Sequence, residues 1–194
     1  HDPEWPTNNQ AITLQTFVQS GVGGVGGVTN FYRINTGTWV EVAAAASSGY
    51  GPGQTFIHTL AGQAIGTRVD YYAVAYGGSG ASQTSATNSF YVADWVAYVK
   101  TNGAPVPPYN TWATAATNIN DAVNAVIPGG IVWVTNGVYD SEVVIRKSCT
   151  VKSVNGADVT TIDGRGTHRC VKMDGVVYSV LDGFTLTNGV ITTG

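Results

Sequence analysis

Charge is what this chain has least of. Asp, Glu, Lys and Arg make up 11% of its 194 residues, where a soluble domain ordinarily carries about 25%. Nine basic against twelve acidic residues leave a net charge of −3. That balance provides no clustered basic face, which excludes nucleic acid as a partner. Long apolar runs are missing too: none reaches the ~18 residues of a membrane-spanning helix. Cysteine occurs twice and methionine once. No Asn-X-Ser/Thr sequon is present, so N-glycosylation of the eukaryotic kind is not indicated. The chain opens at His1 with no charged and apolar leader before it. This start fits a mature secreted protein whose signal has been removed, or a piece of a longer chain.

Apolar residues are abundant at 43%, glycine numbers 25, and threonine is nearly as common. A core can therefore form beneath a surface of Thr, Ser, Asn and Gly, and intrinsic disorder is not expected. Residues 1–10 read as a polar N-terminal arm, ordered by docking on a neighbour. Strand candidates follow at Ala11–Gln19, Thr29–Asn35, Thr38–Ala44, Gln54–Leu60, Arg68–Tyr76 and Asn88–Val92. Each is rich in β-branched or aromatic residues and bounded by Gly, Pro, Asn or Ser. The Gly-Val run at Gly21–Val28 is too rich in glycine for a helix. In Arg68–Tyr76, alternation sends Val69, Tyr71, Ala73 and Ala75 to one face and Asp70, Tyr72, Val74 and Tyr76 to the other. Short strands at this spacing, without helices, predict a β-sandwich over residues 11–94.

The segment Val106–Tyr109, with two consecutive prolines, breaks regular structure. Beyond it Trp112, Ala115, Ala116, Ile119, Ala122, Val123 and Val126 form one apolar stripe, predicting an amphipathic helix over Thr111–Ile127. Asn110 or Thr111 would cap its start, and Pro128-Gly129-Gly130 would end it. A short repeat follows. VWVTNG at Val132–Gly137, VKSVNG at Val151–Gly156 and FTLTNG at Phe184–Gly189 align without gaps. Short strands that return in this way predict a solenoid of stacked parallel sheets over residues 95–194. Positive φ at its corners suits Asn and Gly. Asn136, Asn155 and Asn188 are then expected at one corner of successive turns, their amides bonded in a ladder. Three independent Asn-Gly hairpin turns are the alternative.

Two resemblances follow from these residues. FYRINTGTWVEV and HTLAGQAIGTRVDYYAVAYGGSG resemble an immunoglobulin-like or fibronectin-III-like module of bacterial secreted proteins. VWVTNGVYD, VKSVNGADVTTIDGRGTHRCV and LDGFTLTNG, after the helix, resemble the start of right-handed parallel β-helix proteins of the pectin-lyase-like type. Together they imply an all-β chain: an Ig-like sandwich, then a short parallel β-helix capped by one amphipathic helix.

In lyases of that second type, carboxylates hold Ca²⁺ and an Arg or Lys acts as base. The corresponding candidates are Asp163, Asp182, Arg165, Arg169 and Lys172. Asp163, Asp174 and Asp182 each precede a glycine, however, which is how a turn is written. His1 could chelate copper through its amine and ring only with a second histidine, and only His58 and His168 exist. No catalytic residue, cofactor or metal is therefore expected. Cys149 and Cys170 are spaced for a disulfide between turns, worth about 3 kcal/mol in the chain-entropy model; two buried thiols are the alternative. The aromatic set Trp39, Tyr50, Tyr71, Tyr72, Tyr76, Tyr91, Trp95, Trp112 and Trp133 could include a sugar-stacking platform or serve as cross-strand packing.

A solenoid stopping at Gly194 would leave its last turn half wet, at about 1.5–3 kcal/mol for each inward side chain. The leading expectation is thus a non-catalytic structural subunit of an extracellular filament or surface assembly. Its partners would be copies of itself, joined head to tail through the arm and the open end. The alternative is a fragment of a secreted polysaccharide-acting enzyme or a carbohydrate-binding adhesin, with extracellular polysaccharide as partner.

Overall fold

The computed structural model describes residues 1–19, 24–48, 53–175 and 178–191. Among them, seventeen strands accompany a single helix of seven residues, so the fold is all-β. Two compact units divide the chain, His1–Val92 and Ala93–Gly194.

The first unit is a sandwich of two antiparallel sheets. One holds β1 (Ile12–Gln19), β5 (Gly53–Leu60) and β4 (Ala45–Ser48) in the order β1-β5-β4. The other holds β2 (Val25–Ile34), β3 (Val40–Ala43), β6 (Arg68–Gly77) and β7 (Ser82–Thr84) in the order β3-β2-β6-β7, with β8 (Asn88–Tyr91) also on β6. Period-two alternation turns Ile12, Leu14, Phe56 and Leu60 of the first sheet toward Val28, Val69 and Ala73 of the second. All seven are buried, which makes the core between the sheets. One hydrogen bond crosses it, from the Thr16 hydroxyl to Asn30 Oδ1 at 3.1 Å. The Asn30 amide nitrogen is buried without a partner.

The N-terminal residues pack on their own unit. Asp2 and Thr13 exchange backbone hydrogen bonds at 2.9 and 2.8 Å, and Asn9 donates to Gln63. The His1 ring lies 4.0 Å from that of Phe90. The edge of β1 and the Phe90 ring thus hold these residues within the unit.

In the second unit every paired strand is parallel. The first sheet runs β16-β13-β10-β9, from β9 (Asp94–Val99), β10 (Val126–Val134), β13 (Thr150–Ser153) and β16 (Val180–Asp182). The second runs β11-β14-β17, from β11 (Gly137–Tyr139), β14 (Thr160–Asp163) and β17 (Thr185–Thr187). The third pairs β12 (Val143–Ile145) with β15 (Val171–Met173). The chain visits the three sheets in rotation, and Val132, Val134, Tyr139, Val143, Ile145, Val151 and Ile162 are buried among them. Its returns are unequal in length: Val132 aligns with Val151, and Val151 with Leu181. The short strands expected to return along this half thus fall into three parallel sheets, at unequal intervals.

Helix α1 (Ile119–Ala125) is much shorter than the apolar stripe suggests. Before it, backbone groups are taken by other strands and turns: Ala116 donates to Tyr98, and Lys100 donates to Ala116. Asn118 caps the start instead of Asn110 or Thr111, its side chain accepting from the Asn120 backbone N–H at 2.7 Å. Val126 is already extended, so Pro128-Gly129-Gly130 forms an irregularity inside β10 rather than a helix stop. The helix packs Ile119, Ala122 and Val123 on the core. Its Asn120 side chain continues the third sheet, donating to Glu142 O and accepting from Val144 N, both at 2.8 Å. One amide thereby satisfies a strand edge that would otherwise be unpaired. Lys147 donates to the carbonyls of Asn124 and Val126 at the helix end, where a cation complements the helix dipole.

Candidate functional site

The outer face of the β3-β2-β6 sheet gathers the chemistry of the first unit. Because β2 turns Val28, Asn30, Tyr32 and Ile34 inward, Phe31 and Arg33 point out. Strand β6 likewise presents Arg68, Asp70 and Tyr72. Register then sets Phe31 opposite Tyr72 and Arg33 opposite Asp70. The Phe31 and Tyr72 rings stack at 4.7 Å and 3°. Trp39, just before β3, meets Tyr72 edge-on at 4.9 Å. The Arg33 guanidinium lies 4.8 Å above the Trp39 ring, within cation–π range. Glu41, opposite Phe31 on β3, is exposed.

Asp70 stands on this outward face and is nonetheless 1% exposed, because two arginines cover it. Arg33 Nε reaches Oδ2 at 2.8 Å and Arg68 Nε reaches Oδ1 at 2.7 Å. Burial by itself would raise the Asp70 pKa, but the hydrogen bonds and charges of the two arginines outweigh it and hold the carboxyl below its ordinary value. The same pairing, with a smaller contribution from Tyr91, pushes the Arg68 pKa up. A pyranose ring has an apolar C–H face and a polar rim. Flat aromatic rings beside fixed guanidinium donors are complementary to both.

The residues singled out by sequence in the second unit do not converge. Arg165 binds Asp140 at 3.0 Å and lies 3.8 Å from Asp163. Asp163 also accepts from Asn188 at 2.9 Å and from the Arg165 backbone, and these bonds lower its pKa. Asp182 pairs with Lys152 at 2.8 Å on the first sheet. Lys172 pairs with Asp174 at 3.0 Å, holding that carboxyl low, and Arg169 faces Glu142 at 3.7 Å on the third. Asp163, Asp182 and Asp174 thus close turns after strands of three different sheets. Among the described residues no three His, Cys, Asp or Glu side chains are placed to hold a metal ion. His1 is packed on Phe90 and His58 on Tyr32; His168 Nε2 bonds to Asp140 O at 3.1 Å in the other unit. A polar cavity of about 160 Å³ lies between Thr101, Asn118, Asp140 and Ser141.

Asn155 donates to Asn136 at 2.7 Å, so these two share a corner. Asn188 does not join them. Strand β17 pairs with β14, not with β13, whose neighbour on that side is β16. The third Asn-Gly therefore sits one corner further on, and Asn188, at φ 52°, bonds Asp163 instead. The disulfide is also corrected: Cys149 and Cys170 are free and buried. The two lie ahead of strands in different sheets, and Cys170 Sγ donates to Thr187 O at 3.1 Å. Burial raises the Cys149 pKa, partly offset by Lys147.

Of the aromatic set, Tyr50 lies outside the described residues. Trp112 meets Tyr98 at 4.4 Å, and Trp133 aligns with Tyr98 across β9 and β10. Sequence reading placed Asp70 and Tyr72 on one face but missed Phe31, Arg33 and Arg68 as their companions. The outward Phe-x-Arg on β2 and Arg-x-Asp-x-Tyr on β6 carried that signal, and only the register joins them.

No family model matches the chain, and no curated protein matches it. Solved structures similar to it include the cycloalternan-forming enzyme of Listeria monocytogenes in complex with pentasaccharide substrate, at 20% identity and a TM-score of 0.43. An uncharacterized protein of Listeria monocytogenes EGD-e, in complex with α-D-glucose, β-D-glucose, magnesium and calcium, gives the same values. Each likeness covers 48% of this chain and 9% of the other. A likeness this partial assigns neither substrate nor activity to this chain. These findings correct the sequence-based resemblance, since no immunoglobulin-like, fibronectin-III-like or pectin-lyase-like model matches and the structural neighbours are other proteins. The expectation of a non-enzyme is withdrawn: the chain is similar in part to a solved enzyme, a likeness too slight to assign or deny activity. What stands is an all-β chain of two units that resembles a small part of much larger Listeria proteins.

Proposed function

We propose that this chain is the carbohydrate-binding part of an extracellular polysaccharide-acting or glycan-adhering protein. The observation that carries this reading is the outward platform of Trp39, Tyr72 and Phe31 with Arg33 laid over the indole. Its rings are held by one another and by sheet register, so little side-chain freedom remains to be lost when a sugar stacks. A surface with few charges and many hydroxyls and amides suits a chain that works among polysaccharides outside the cell.

Affinity electrophoresis of the full chain through gels containing soluble polysaccharides tests the proposal. At least one polysaccharide should retard the chain, and Trp39→Ala should abolish the retardation while leaving the fold intact. Equal retardation of the variant would place binding elsewhere, and a panel without any retardation would end the proposal.

A further inference from the structure

The same platform carries a second feature, which rests on the binding reading above and narrows it. Arg33 and Arg68 both engage Asp70 through Nε alone. Arg33 otherwise stacks on Trp39, and Arg68 lies beside Tyr91. One carboxylate therefore orients two guanidinium groups through their Nε atoms, and Arg68 has a further hydrogen bond to Tyr91. The side chains are 35% and 46% exposed, against 1% for the carboxylate beneath them. The charge count of this cluster is two cations to one anion. Glu41, the other acid on this face, sits opposite Phe31, on the side of that ring away from β6.

We infer that the sugar bound here is acidic, and that its carboxylate or sulfate group is taken by the terminal nitrogens of Arg33 and Arg68. The planar fork of arginine matches such oxyanions with paired hydrogen bonds, which a lysine cannot reproduce. The rotamer freedom of both side chains has already been given up to Asp70, so the ligand need not order them. Geometry agrees as well. A uronate carboxyl or a sulfate ester projects from the rim of a sugar ring, and Arg33 already lies 4.8 Å over the Trp39 indole, beside which that ring would rest. The corner formed by Asp140, Arg165 and Asp163 offers no such site, because Arg165 is spent between two carboxylates. General attraction to polyanions cannot substitute for a local site, since the whole chain carries −3.

The test compares four soluble polymers with the full-length chain: polygalacturonate, its fully methyl-esterified form, dextran sulfate and dextran. At least one acidic polymer should bind about tenfold more tightly than its neutral counterpart. That advantage should shrink as salt rises from about 50 to about 500 mM. Preference for polygalacturonate identifies the carboxylate as the ligand group, and preference for dextran sulfate the sulfate. Arg33→Lys keeps a cation for Asp70 and should still lose about tenfold on the acidic polymer alone. Arg68→Lys provides the same test independently should the first variant fold poorly. Equal binding of charged and neutral polymers, unaffected by either lysine variant, overturns this inference and leaves the sugar-binding reading standing. Binding of a neutral polysaccharide alone does likewise. No binding to any polysaccharide overturns both.

Discussion

Replacing Asp70 by Asn is the perturbation that bears hardest on the sandwich. The carboxylate is 1% exposed and accepts from Arg33 at 2.8 Å and Arg68 at 2.7 Å. Hydrogen bonds to charged groups contribute about 1.5–3 kcal/mol each. The Asn carbonyl oxygen can keep one of them, as a neutral bond. The arginines, 35% and 46% exposed, recover part of their hydration by turning outward. The net loss is then about 2–3 kcal/mol, short of the full cost of stranding a buried charge. For a unit of this size that is a fall of about 8–15 °C in its melting temperature. Urea unfolding of the full chain should show a lower midpoint with an unchanged slope.

The pH dependence has a definite sign. The Asp70 pKa in the fold lies below its unfolded value, so the unfolded chain takes up the proton first. The stability it contributes is present above about pH 4 and is lost as pH falls through the lowered folded value. Wild type minus Asp70→Asn should therefore be constant near neutrality and shrink in acid. A loss under about 0.5 kcal/mol, or a difference that grows on acidification, would refute the reasoning.

Other substitutions probe the rest of the fold. Thr16→Val removes the one hydrogen bond that the buried Asn30 side chain makes among the described residues and should cost about 1–3 kcal/mol in urea unfolding; an unchanged midpoint would mean that water serves Asn30. Asn120→Ala exposes the edge of β12 and should cost about 2 kcal/mol, with faster amide exchange at Val144. The buried thiols of Cys149 and Cys170 should react with a thiol reagent only after denaturation. Recovery of an intact disulfide from native protein would contradict that prediction.

Sequence revealed the sandwich strands because alternation and turn residues bound them tightly. It missed β7, whose Ser82, Gln83 and Thr84 are all polar and exposed. It also missed β4, because the strand read over Thr38–Ala44 stops one residue before β4 begins. The helix was drawn too long because Trp112 and Ala115 fit a helical stripe, although the backbone around them bonds to β9 and to nearby turns. Strand composition cannot say which sheet a short strand joins. FTLTNG looks like the Asn-Gly strands before it, yet register places it on β14. The binding platform was half legible. Alternation separated Asp70 and Tyr72 from the core, but the stacking of Phe31 on Tyr72 and the burial of Asp70 depend on pairing between strands distant in sequence.

The most direct measurement is the dissociation constant of the chain for a retained polysaccharide, by calorimetry, for wild type and Trp39→Ala. Loss of the stacked indole should weaken binding by about tenfold or more, the effect of about 1.5 kcal/mol of aromatic contact, while the melting temperature stays near that of wild type. Undiminished affinity in a folded Trp39→Ala chain would contradict the account.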